Sequence, residues 1–191
     1  MIKFVRANCL VPWICKNFKF KRKPIYFLRH PVPTALSQVK AFDKYKNKNH
    51  SLVDHIPNQL LPKYKDVFQE LDSFFEKRLA LWCIHNKYTL EQKKNGKSWT
   101  ILFYEHMLLD PEGELKQIED NLGIKIPSQA LNKIYKPSKT DYNRNFLKDP
   151  ERQINKWTHE LSNKDLERAQ MILDYFNIKI YSAYNTMPLD Y

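Results

Sequence analysis

The stretch Pro24-Ile25-Tyr26-Phe27-Leu28-Arg29-His30-Pro31-Val32-Pro33-Thr34-Ala35-Leu36-Ser37 carries the strongest structural signal in the chain. Ile25 to Leu28 are four consecutive apolar residues of strand type, the pattern of a strand buried on both faces, and such strands belong to parallel sheets. Pro31 and Pro33 stand where a helix begins, since the first helical N–H groups have no acceptor inside the helix. Ala35, Leu36, Val39, Ala41 and Phe42 then follow a helical repeat. A strand, a tight turn and a helix in that order are the building unit of an α/β fold, a parallel sheet flanked by helices.

The same reading extends outward along the chain. Trp99 to Tyr104 forms a second buried strand and Ile2 to Val5 a short third one, with a partly apolar helix over Leu10–Asn17. From Lys63 to Lys94 the residues Val67, Leu71, Phe74, Phe75, Leu79, Trp82 and Tyr88 share one helical face, so one long amphipathic helix is expected there, ended by Asn95-Gly96. Asp110 as cap, Pro111 in the first turn and Gly123 just past the end bound a further helix. Shorter helices are expected over Ile126–Tyr135, Glu151–His159 and, behind the box-like Ser162-x-x-Asp165, Ser162–Asn177. Phe18–Lys23, Lys44–His50 and Lys136–Pro150 read as polar loops, and Ser51–Pro62 as irregular chain with one helical turn.

Composition narrows the function. A length of 191 residues with 42% hydrophobic residues supports one domain over residues 1–191 and excludes a disordered tail. Three glycines, Gly96, Gly113 and Gly123, are too few and too scattered for a glycine-rich phosphate loop. Of the net charge of +11, all lies in residues 1–50, where twelve Lys and Arg face the single Asp43. A basic segment of that density expects an anionic partner or is solvated surface. Cys9, Cys15 and Cys83 have no CxxC spacing, so neither a zinc site nor a disulfide framework is expected, and a cytoplasmic location fits. The longest apolar run, Cys9 to Cys15, is far short of the ~20 residues that span a bilayer, and no small-residue cleavage site follows it. No membrane anchor or metal is therefore expected.

In open α/β sheets, ligands bind beyond the carboxyl ends of the strands. Arg29 stands at that edge, where a guanidinium can grip a phosphate through two parallel N–H bonds, and Ser37, two helical turns on, can add a hydroxyl. The alternative is that Arg29 pairs with a carboxylate and Ser37 is an ordinary helix serine.

Leu28-Arg29-His30-Pro31-Val32-Pro33-Thr34-Ala35-Leu36-Ser37 resembles the 3′-phosphate-binding motif of sulfotransferases that use 3′-phosphoadenylyl sulfate (PAPS), in which a strand-end Arg precedes a Ser by eight residues. Two further blocks follow in the family order. Leu102-Phe103-Tyr104-Glu105-His106-Met107-Leu108-Leu109-Asp110-Pro111, running on to Leu122-Gly123, is similar to the family's strand, Tyr-Glu pair and capped helix. Lys136-Pro137-Ser138-Lys139-Thr140, with Trp157-x-x-x-Leu161-Ser162, is similar to signatures of the bacterial branch. The resemblance implies a P-loop NTPase-like sulfotransferase fold and transfer of a sulfuryl group from PAPS to a hydroxyl or amine acceptor, with PAP as product.

Under that resemblance Arg29 and Ser37 hold the 3′-phosphate, Tyr104 contacts the adenine side, and Ser138 and Thr140 lie beside ribose and adenine. The Arg-Lys-Gly clamp of the eukaryotic cytosolic members is missing, leaving Lys139, Arg144 or Arg152 as substitutes, and His30 falls at a variable position that reads as structural. The loop that holds the 5′-phosphosulfate in this family has no counterpart before residue 24. Ile2 to Asn8 resembles the family's following strand, where a lysine often begins the active-site edge, which makes Lys3 the one candidate for the reacting centre. The chain thus reads as an N-terminally truncated domain, beginning about 80–100 residues late for a typical domain size, with doubtful activity on its own. A small-molecule, carbohydrate or lipid acceptor is the expected partner, and Lys44–Pro62 the expected acceptor side. The competing reading is a basic, non-catalytic module that binds nucleic acid or another polyanion through Lys16–Lys23; its affinity falls steeply with salt and ignores a 3′-phosphate.

Overall fold

The computed structural model describes residues 3–4, 7–42, 52–92, 98–134 and 149–189. Two parallel strands, β1 (Ile25–Leu28) and β2 (Thr100–Phe103), pair in the register Ile25 with Thr100 through Leu28 with Phe103. Helices form the rest: α1 (Val11–Asn17), α2 (Pro31–Phe42), α3 (Leu61–Gln69), α4 (Phe74–Glu91), α5 (Tyr104–Leu109), α6 (Pro111–Leu122), α7 (Gln129–Ile134), α8 (Pro150–Asn155) and α9 (Asn163–Tyr175). The class is mixed α/β, mostly helical, with a small parallel sheet.

Three expectations are corrected. Lys3 and Phe4 lie in irregular, exposed chain rather than in a strand, so among the described residues the sheet has two strands, not three. Strand β1 is buried on one face only. Tyr26 and Leu28 enter the main core, whereas Ile25 and Phe27 are 44% and 52% exposed. Partners in a parallel pair share a face, so Leu102 lies on the side of Ile25 and Phe27. There it is buried with Met107 of α5 and Ile118 of α6, a cover that leaves Ile25 and Phe27 open.

The third correction is the long helix, which is two. Ser73 breaks it: its side chain accepts from the Glu76 N–H, while the Glu76 carboxylate accepts from the Ser73 N–H at 3.1 Å and the Asp72 N–H at 2.9 Å. That reciprocal box starts a helix afresh, and apolar spacing alone does not show it. Arg168 of α9 holds the same carboxylate at 2.8 Å, fixing the start of α4 against the last helix.

Elsewhere local chemistry acts as the sequence implies. Asp110 caps α6 by accepting from the Gly113 N–H, and Gly123 ends it at φ 58°, a left-handed conformation that glycine adopts without Cβ strain. The Ser162–Asp165 box starts α9. The main core joins Leu28, Val32 and Ala35 to Leu79 and Ile84 of α4, Leu173 of α9, and Trp157. The chain after α9 folds back into it, burying Phe176, Ile178, Ile180, Tyr181 and Ala183. Among the described residues no helix is long and apolar enough to cross a membrane.

Candidate functional site

The strand register builds the site. Leu28 pairs with Phe103 at the carboxyl end of the sheet, so the next residues, Arg29 and Tyr104, leave it side by side, as do His30 and Glu105 after them. The Arg29 guanidinium lies over the Tyr104 ring, 4.5 Å from its centroid. Such a contact is worth about 0.5–2 kcal/mol and leaves the positive charge in place. Among the described residues no carboxylate lies within ion-pair distance of Arg29, and its buried Nε has no hydrogen-bond partner.

The second pair holds the first. The His30 N–H donates to Glu105 Oε1 at 2.9 Å, and the Tyr181 hydroxyl donates to Glu105 Oε2 at 3.0 Å. Both carboxylate oxygens are thus engaged away from Arg29. Burial pushes Glu105 above the ordinary carboxylate range, opposed by those hydrogen bonds and by the Arg29 charge. Burial likewise pushes the Tyr181 hydroxyl up, reinforced by Glu105.

His30 is fully buried, and its ring chemistry is fixed by its neighbours. Nε2 faces the carbonyl oxygens of Ser182 at 3.1 Å and Asn185 at 2.9 Å, so it carries the proton and donates; Nδ1 accepts from the Val32 N–H at 3.2 Å. Burial, aided by the Arg29 charge, lowers its pKa to about 4 against the pull of the two carbonyls. A neutral ring with both nitrogens engaged is a strut between the β1 exit and the C-terminal segment, not a proton carrier.

Arg29, Pro33, Tyr104, Gln153, Trp157 and Thr186 are among the residues around a cleft whose cavity is about 10 Å³, the room of one oxygen atom. Ser37 is exposed on α2. It lies four residues beyond Pro33, on the same helical face and about 6 Å further along the axis. Lys3 is exposed and stands outside the cleft lining, and Arg152 is exposed on α8. Ser138, Thr140, Lys139 and Arg144 lie outside the described residues, as does most of the expected loop over Lys136–Pro150. Sequence reasoning did not find Gln153 and Thr186, for which no pattern pointed to the cleft. It noted Trp157 as a signature without placing it there.

A family model described as the sulfotransferase domain matches residues 12–176. The chain belongs to the sulfotransferase family. The match runs from α1 to the residue after α9 and contains the β1–α2 junction, the Tyr104–Glu105 pair and Trp157. No curated protein and no solved structure matches the chain. Within this sulfotransferase the Arg29–Tyr104 pair therefore occupies the strand-end position at which α/β proteins bind ligands.

Proposed function

We propose that this sulfotransferase takes PAPS as sulfuryl donor and that Arg29 is the anchor for its 3′-phosphate. One observation carries the reading: Arg29, at the carboxyl end of a parallel strand, is a cation with no ion-pair partner among the described residues, although Glu105 stands in the adjoining pair. An arginine serving only the fold would be expected on a carboxylate. Ser37, exposed one helical turn beyond the cleft-lining Pro33, adds a hydroxyl to the same anion, and Tyr104 orients the guanidinium while presenting its ring toward the adenine side.

Sulfuryl transfer requires an acceptor hydroxyl or amine to attack sulfur in line. The acceptor proton leaves to a base, the S–O bond to the nucleotide breaks, and PAP departs with the electron pair. The described residues contribute to binding in that scheme. Lys3 is the candidate cation for the sulfuryl side, and Ser138 and Thr140 are candidates for ribose and adenine contacts. The chemistry of the transfer calls for a hydroxyl or amine on the acceptor, here a small molecule, carbohydrate or lipid.

A thermal-shift titration with PAP tests the reading. Saturation at about 100 times Kd stabilises a protein by about 2.7 kcal/mol, a rise of several degrees, and Arg29→Ala should abolish it. Identical melting of the wild type and Arg29→Ala with and without PAP would refute the proposal. The second reading, a polyanion-binding module, is favoured by the exposure of Phe18, Lys19, Phe20, Lys21, Arg22 and Lys23. It predicts binding that survives Arg29→Ala and weakens steeply with salt.

A further inference from the structure

The cleft beside Arg29 contains a second unexplained donor. Trp157 is 2% exposed, lines the same cavity, and has an indole N–H without an acceptor among the described residues. A buried N–H left unpaired carries a substantial penalty, and native proteins rarely keep one without a reason. Here two residues that line one cavity of about 10 Å³, Arg29 and Trp157, each carry a buried, unpaired N–H, at Nε and Nε1.

Both groups only donate; neither an indole nor a guanidinium can accept. The missing partner is therefore an acceptor. The carboxylate in the same cleft lining, Glu105, has both oxygens committed to His30 and Tyr181. The positive charge of Arg29 selects a negatively charged oxygen over a neutral one. The indole is held in place by packing: its ring centroid is 5.0 Å from that of the His30 imidazole, whose nitrogens are tied to Val32, Ser182 and Asn185.

We infer that the indole N–H of Trp157 is a binding group of the anion site, and that an oxyanion seats one of its oxygens between Trp157 Nε1 and Arg29 Nε. This rests on the reading of Arg29 as an anion anchor and extends it. The pocket grips one oxygen by two converging donors, so a tetrahedral phosphate or sulfate is held from a fixed direction, with its other oxygens left toward the cleft mouth and the Ser37 side of α2.

The test follows the four indole N–H resonances of the wild-type protein (Trp13, Trp82, Trp99 and Trp157) in a nitrogen-15 NMR titration, once with inorganic sulfate and once with PAP. The Trp157 resonance should move with either anion. Trp99, which is also buried without an acceptor but does not line the cleft, should stay still. Trp157→Phe keeps a ring against His30 and removes the donor, and should weaken PAP binding roughly tenfold to a hundredfold, the range for a hydrogen bond to a charged group. If Trp157→Phe is poorly folded, the wild-type titration alone decides.

The outcomes separate the two claims. PAP binding that is lost in Arg29→Ala, with an unmoved Trp157 resonance and unchanged affinity in Trp157→Phe, overturns this inference and leaves the PAP reading standing. A Trp157 resonance that moves with sulfate, while PAP binds no better than sulfate, supports the inference and removes the nucleotide. A Trp157 resonance that answers neither anion, in a protein that does not bind PAP, overturns both.

Discussion

The fully buried His30 makes a quantitative demand on stability as a function of pH. Its pKa is about 4 in the fold and 6.5 for an ordinary histidine. A group whose folded pKa is depressed adds stability that is complete above its unfolded pKa and is lost as pH falls toward the folded value. Between pH 6.5 and 4 the unfolded chain takes up a proton at this residue that the folded chain refuses, so unfolding becomes easier by about 1.4 kcal/mol per pH unit. The loss amounts to roughly 2 kcal/mol at pH 5 and roughly 3 kcal/mol at pH 4. Against a typical domain stability of about 5–15 kcal/mol this is large.

Urea unfolding at half-unit steps from pH 7 to 4.5 measures it, with His30→Gln as the comparison. The glutamine amide can still donate to the Ser182 or Asn185 carbonyl but takes up no proton in this range. His30→Gln should therefore begin less stable at pH 7 and show a shallower slope between pH 6.5 and 5. Keeping above pH 4.5 avoids the range where Glu76 contributes in the same direction; hydrogen bonds from Arg168, Ser73 and Asp72 outweigh its burial and hold it below the ordinary value. The His30 contribution is read as the difference between the two proteins, because Glu105, pushed up by burial, adds stability as the pH falls and opposes it; a His30→Gln variant with the full wild-type slope would refute the assignment of a neutral, doubly engaged ring.

Three further outcomes follow from single side chains. Gly123→Ala places a Cβ at φ 58° with nothing within 4 Å of it, so the loss is backbone strain alone, about 1–2 kcal/mol by chemical denaturation. Ser73→Ala removes the cap of α4 and should destabilise by about 1 kcal/mol, which circular-dichroism melting detects. Tyr104→Glu sets a carboxylate beside Arg29; at about 5 Å and an effective dielectric of about 20 the pair gains roughly 3 kcal/mol of attraction, so PAP binding should fall more than a hundredfold, and further than in Tyr104→Leu, which brings no charge, both read by calorimetry.

Legibility of the fold followed the range of the interactions that specify it. The cap, the proline and the left-handed glycine of α6 are contacts within one turn of the helix they bound, and reading them from Asp110, Pro111 and Gly123 required no tertiary knowledge. The break before α4 is equally local, but Ser73 and Glu76 sit inside an unbroken apolar period that masks the cap. Burial of β1 was harder. Ile25 and Phe27 are as apolar as Tyr26 and Leu28, and only the placement of α6 over the β2 side of the sheet decides which of them is covered. At the cleft, the strand-end position of Arg29 was legible because local sequence marks the end of that strand. Gln153 and Thr186 were not, because they reach the cleft through the return of α8 and of the C-terminal segment, contacts that span more than a hundred residues and carry no local pattern.

The order of two residue pairs decides whether the cation at this strand edge is left without an ion pair or neutralised inside the protein. Register places the residue after Leu28 next to the residue after Phe103, and the following residue of each strand beside its counterpart. With Arg-His on one strand and Tyr-Glu on the other, the guanidinium meets an aromatic face and the carboxylate meets a backbone N–H. A slip of one residue would bring Arg29 against Glu105, and the free cation would become an internal ion pair. Such a slip also turns every side chain of the strand to the opposite face, expelling Tyr26 and Leu28 from the core. The hydrophobic pattern that fixes the register is therefore the same feature that keeps Arg29 off Glu105: core packing and the separation of that pair are specified by one alignment of eight residues, Ile25 to Leu28 with Thr100 to Phe103.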